Sequence, residues 1–196
     1  PSCFVFHIMN SYQSGDEVIV DAARYDKLWV KNSHDFFHPA YLSRFSMNMQ
    51  TGRVSVTRIY DKPMEFPQVN RELWTKPYRY GYSLAVDEVN DSPELIDRAE
   101  GGIYKYDLQT GEVDAYLPGV QLTPGEAVFI AAEGASAEDE GYLVSYVYDR
   151  NSETSALCLF DATRVSAGPI AKVQLPVRVP VGFHGVWVPD AAMAQG

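Results

Sequence analysis

Cysteine is scarce in this chain: only Cys3 and Cys158 stand among its 196 residues. Two cysteines so far apart make neither a disulfide framework nor a zinc knuckle. They are expected to be reduced, buried thiols in a cytoplasmic protein, with a single bridge between them as the alternative. Basic charge is short as well. Sixteen Lys and Arg face 26 Asp and Glu, a net charge of −10, so the basic patch that a phosphate-binding surface needs is missing and nucleic acid is not an expected partner. No apolar run approaches the roughly 20 residues that span a bilayer. No stretch has the charged start and apolar middle of a signal peptide, and none carries the period of a long amphipathic helix.

Aromatics and turn formers are plentiful: 13 Tyr, 9 Phe, 14 Gly and 12 Pro. With frequent Val, this composition favours β structure in one large domain or two small ones. Residues 4–9 and 17–22 read as strands joined by Gln13-Ser14-Gly15-Asp16, a hairpin, and the segment from Tyr25 to Tyr41, with no clean period, reads as a long loop. Two alternating strands flank Gln50-Thr51-Gly52, and the pattern returns around Gln109-Thr110-Gly111, 59 residues on. A weaker copy covers Leu157 to Val165, where the turn lacks glycine. Antiparallel units of this length fit the blades of a β-propeller, which needs about four blades or more to close. The chain has room for three or four. It opens on Pro1-Ser2 and passes directly into an apolar strand, so it is expected to be the later part of something longer.

Between the hairpins, Met64–Asn70 and Leu122–Ile130 each set one glutamate, Glu65 or Glu126, beside a proline and apolar residues. Strands are also expected at Tyr78–Ala85, Tyr142–Tyr148 and Ala171–Leu175. The acidic run Glu133–Gly141 reads as a solvated turn.

Two histidines stand out because each sits in an apolar, strand-like run: His7 in Phe4–Asn10 and His184 in Val181–Val188. A buried imidazole must satisfy two ring nitrogens, so each is either a hydrogen-bonded core histidine or one ligand of a shared metal. A metal-bound imidazole usually donates its other N–H to a carboxylate, and Glu65 and Glu126 are candidates for that role. Four such residues from different repeat units would converge on a propeller axis.

Taken together, Phe6-His7-Ile8-Met9-Asn10-Ser11-Tyr12, Glu65-Phe66-Pro67-Gln68-Val69-Asn70, Pro124-Gly125-Glu126-Ala127-Val128-Phe129 and Gly182-Phe183-His184-Gly185 resemble, in order and approximate spacing, the carotenoid cleavage oxygenase family. That family includes retinoid isomerases and lignostilbene dioxygenases. The resemblance runs from Phe4 to Val188 and covers the C-terminal part of the family's length. It implies an all-β, seven-bladed propeller to which this chain contributes three to four C-terminal blades. It also implies a non-haem Fe(II) on the axis held by four histidines. His7 and His184 would be the third and fourth ligands in chain order, with Glu65 the carboxylate behind His7 and Glu126 the one behind His184. The first two ligands would lie upstream of Pro1, since neither His34 nor His38 matches a family ligand.

The activity so implied is oxidative scission of a conjugated double bond in a carotenoid, apocarotenoid or stilbene, with dioxygen as co-substrate. Four neutral imidazoles suit divalent iron, and an outer set of carboxylates balances its charge. Carrying two of four ligands, the 196-residue chain alone is expected to be inactive and to self-associate through unpaired sheet edges. Membrane contact would belong to the missing part. The rivals are a non-catalytic β-repeat interaction module and a sialidase-type propeller, the latter disfavoured because the arginines are scattered.

Overall fold

Alternation of side chains along short strands dominates the structure, a computed structural model that describes residues 2–28, 38–86, 101–180 and 182–193. Strands β1 (Phe4–Ser14), β2 (Glu17–Tyr25), β3 (Ala40–Asn48) and β4 (Val54–Gln68) form an antiparallel meander. The 15-residue β4 then leaves that sheet. Its first part pairs with β3 and its last part pairs with β5 (Tyr80–Ala85), which continues to β6 (Gly102–Asp107) and β7 (Val113–Tyr116). A third sheet orders β12 (Pro169–Gln174), β11 (Thr154–Asp161) and β10 (Gly141–Asp149), and β10 pairs with both β8 (Leu122–Pro124) and β9 (Val128–Ala131). Each of the three units therefore has four strand positions in sequence order. In the third unit β8 and β9 together fill the first position.

The sheets pack face against face, and each interface is a core. Met9, Tyr25, Leu42, Met64, Tyr104 and Tyr106 fill the space between the first and second units. Tyr82, Ile103, Phe129, Leu143, Phe160 and Val165 fill that between the second and third. Strand β6 shows the two-residue period at work: Tyr104 and Tyr106 point to the first unit, whereas Ile103 points to the third. Lys105, on the same side as Ile103, bonds Asp139 at 2.5 Å and the Thr163 carbonyl at 2.8 Å. Asp21, fully buried, takes two bonds of 2.8 Å from Arg44 and one of 2.6 Å from the Tyr78 hydroxyl, so the first unit is tied to the second by a satisfied charge. At Gly81 the first unit presses on the second so closely that a Cβ would stand 2.5 Å from Met9 Sδ. Sheets that stack this way, one four-stranded meander per repeat, are consecutive blades of a β-propeller.

Several expectations need correction. The first hairpin strands are longer than 4–9 and 17–22, and Tyr41 belongs to β3. Met64–Gln68 is the far end of β4 rather than a separate segment between hairpins. The Glu133–Gly141 turn is more than a solvated loop. Glu138 accepts from the backbone N–H groups of Arg79 and Tyr80, and Asp139 binds Lys105, because the loop closes the gap between two blades. Cys158 is buried as expected, but Cys3 is exposed at the start of the chain, and both are free. The run containing His184 is not a strand: residues 182–189 make no sheet pairing.

Candidate metal centre

The first strand position of each blade carries a bulge at the same height. In β1, Phe6 and His7 lie opposite Ala23 alone, since Val5 pairs with Arg24 and Ile8 with Ala22. In β4, Phe66 and Pro67 lie opposite Ser83, with Glu65 paired to Leu84 and Gln68 to Tyr82. Between β8 and β9, residues 125–127 face Ser145 and Tyr146. An extra residue bends a strand and re-aims a side chain, and here the re-aimed side chains are His7, Glu126 and Gln68, the last now on the side of Glu65. Phe66 sits at φ +52°, a left-handed conformation uncommon for a bulky residue. That turn lets Glu65 and Gln68 both point inward.

All four residues singled out in the sequence meet. His7 Nδ1 lies 2.5 Å from Glu65 Oε2, and His184 Nδ1 lies 3.1 Å from Glu126 Oε1. The two Nε2 atoms face each other at 3.1 Å. Each carboxylate is surrounded by donors. Glu65 also accepts from the Tyr25 hydroxyl (2.6 Å) and the Phe66 N–H (2.7 Å), and Glu126 from the Gln68 amide (2.6 Å) and the Gly185 N–H (2.5 Å). Burial, followed by the Glu65 charge, pushes the Tyr25 phenol well above its ordinary range, so it stays a donor.

Acceptor-only carboxylates place the proton of each imidazole on Nδ1 and leave a lone pair on each Nε2. Two lone pairs that face each other at 3.1 Å repel unless a proton or a metal ion lies between them. Two imidazole nitrogens bound cis to one ion at about 2.1 Å stand about 3.0 Å apart. The donor set and its spacing therefore fit a shared divalent ion. Among the described residues no group of three or more His, Cys, Asp or Glu gathers to hold a metal.

Phe66 stacks on His7 (5.0 Å, 29°) and stands edge-on to His184 (5.6 Å, 61°). The imidazoles open onto a cleft of about 320 Å³ walled by Phe6, Phe66, Val69 and Trp74. A larger apolar groove of about 510 Å³ runs beside it between β10 and residues 178–180 and 182–187. Sequence reasoning missed three supporting residues. Tyr25 and Gln68 hold the carboxylates. Asn10, three residues after His7, bonds the Leu73 and Lys76 carbonyls and the Thr75 N–H, which fixes the Trp74 loop beside the cleft. A usable signal existed, because His7–Glu65, Gln68–Glu126 and Glu126–His184 are each separated by 58 residues. His38 lines neither cavity, and His34 lies outside the described residues.

Fold and site together define propeller blades beside whose first strands two histidine–carboxylate pairs meet. The family model for retinal pigment epithelial membrane protein matches residues 1–189, and the chain belongs to that family, which includes the carotenoid cleavage oxygenases. It is 34% identical to a carotenoid 9,10(9',10')-cleavage dioxygenase of Crocus sativus over 96% of this chain and 37% of that one. It is 34% identical to a carotenoid cleavage oxygenase of Mycobacterium tuberculosis (95% and 38%) and 28% identical to lignostilbene-alpha,beta-dioxygenase isozyme III of Sphingomonas paucimobilis (94% and 41%). The crystal structure of cobalt-substituted Synechocystis apocarotenoid oxygenase superposes with a TM-score of 0.84 at 27% identity, covering 94% of this chain and 39% of that one. The chain thus spans about two fifths of the length of the relatives it matches.

Proposed function

We propose that this chain supplies two of the four imidazoles of a non-haem Fe(II) oxygenase that cleaves a conjugated carbon–carbon double bond of a carotenoid, apocarotenoid or stilbene into two carbonyl products. The observation that carries this reading is the pair of Nε2 atoms 3.1 Å apart, on rings whose Nδ1 atoms each face a carboxylate. When bound, iron would supply the activation of dioxygen, which no side chain here can perform. The protein's share is geometry and charge. Glu65 and Glu126 orient the rings and balance a dication without taking up coordination positions. Phe66 keeps both rings from turning, and the aromatic wall of the cleft offers an apolar conjugated substrate a dry surface.

On this reading the 196-residue chain holds iron weakly and is inactive alone. Phe4, Phe6 and Ile8, exposed along β1, support self-association. Metal analysis of the purified chain is expected to find iron well below one equivalent, and stoichiometric, tightly held iron would overturn the two-of-four assignment. In the protein that carries the upstream ligands, His7→Ala or His184→Ala is expected to abolish both iron retention and cleavage. Loss of stability alone would favour the non-catalytic interaction module.

A further inference from the structure

Residues 182–189 have no strand partner, so something other than a sheet must hold His184 in place. The His184 ring and the Gly185 N–H both bond to Glu126. The orientation of that one carboxylate therefore sets where His184 points. Glu126 lies in the break between β8 and β9, outside the ladder pairs on either side, although Gly125 before it bonds the Tyr146 carbonyl at 2.7 Å. Its remaining donor, the Gln68 amide at 2.6 Å, arrives from the neighbouring blade. Gln68 stands three residues after Glu65, on the far side of the left-handed bulge at Phe66. One short segment of β4 thus touches both pairs: Glu65 accepts from His7, and Gln68 donates to the carboxylate behind His184.

We propose that Gln68 is a positioning residue. Its amide anchors Oε1 of Glu126, so that the carboxylate presents an acceptor to His184 Nδ1 and keeps the Nε2 lone pair aimed at His7. Being neutral, the amide does this without neutralising the carboxylate, whose charge stays available to the imidazole. The inference rests on His7 and His184 forming part of the metal centre, but its test needs no metal.

In the 15N-labelled chain at about pH 9, above the usual imidazole titration, long-range 1H–15N spectra show which nitrogen of each ring carries the proton. In the unaltered chain both His7 and His184 are expected in the Nδ1–H form. Gln68→Leu is expected to raise the minor Nε2–H form of His184 about threefold to tenfold, the worth of one hydrogen bond, with His7 unchanged. Gln68→Lys returns a donor but sets a charge against the carboxylate, so it restores the His184 signature in part, and Tyr25→Phe disturbs His7 alone. An unaltered His184 in Gln68→Leu overturns the proposal, as does an equal change in both rings, which would mean general loosening. Should Gln68→Leu fail to fold, the pair Gln68→Lys and Gln68→Glu decides, and identical His184 signatures in the two overturn it. Correct tautomers in a chain whose site never holds metal would break the metal reading and leave the role of Gln68 intact.

Discussion

The two histidine–carboxylate pairs perform one task with unequal support. His7 belongs to an 11-residue strand, and its side chain is 22% exposed. His184 belongs to an unpaired segment, and its side chain is 56% exposed. The carboxylates behind them are alike: Glu65 and Glu126 are 11% and 5% exposed, both on bulged inner strands and both ringed by donors. The difference teaches that the rigid part of this centre is its carboxylates. A histidine here is held by its acceptor as much as by its own strand.

Removing the carboxylates breaks the comparison most severely. In protein carrying the full ligand set, Glu65→Ala and Glu126→Ala are each expected to weaken metal binding about 10- to 100-fold, as read by competition with a chelator. The stabilities should then diverge. Glu65→Ala strands the buried Tyr25 hydroxyl and is expected to cost about 1–3 kcal/mol more than Glu126→Ala in urea unfolding. Equal losses would mean that the pairs are supported alike.

Hydrogen exchange sharpens the same contrast. Glu126→Ala is expected to leave the amides of residues 182–189 nearly unprotected while the paired amides of β1 keep their protection, because β1 pairs with β2 on both sides of its bulge and the 182–189 segment has no strand partner. Tyr25→Phe, which removes one bond to Glu65 and leaves the ring, is expected to cost about 1 kcal/mol and to leave residues 182–189 unmoved.

The smallest effect is a control away from both pairs. The Arg79 guanidinium bonded to Asp107 holds that carboxyl well below the usual carboxylate range. A depressed folded-state value contributes stability that is present above the unfolded pKa and lost as pH falls through the folded one. Asp107→Asn is expected to flatten the acid limb of a stability–pH profile below about pH 4, while the His7 and His184 tautomers stay the same.

The blades were legible because a strand writes its two faces into alternate residues: Ser43–Val56 and Ile103–Tyr116 announced their hairpins, glycine turns included. The boundary between blades was not legible, because β4 runs through it without a break and only pairing distinguishes its two parts. The four site residues could be named from the apolar context around each and from the order of four short motifs. Tyr25 and Asn10 could not, since a tyrosine in a strand or an amide beside a turn looks the same whether it packs, solvates or holds a carboxylate, and Gln68 was marked only by its 58-residue distance from Glu126.

The sequence by itself determined the strands, their approximate repeat and the chemical types at the centre, all of which depend on neighbours a few residues away. Tertiary structure decided the rest. Contacts across 58 residues put His7 on a carboxylate of the following unit and His184 on one of the preceding unit, and bulges turned side chains that a regular pleat would have aimed elsewhere. Only the tertiary meeting of β1 with the 182–189 segment brought the two Nε2 atoms to within 3.1 Å. Such placement depends on loop closure and blade packing, which no local pattern encodes.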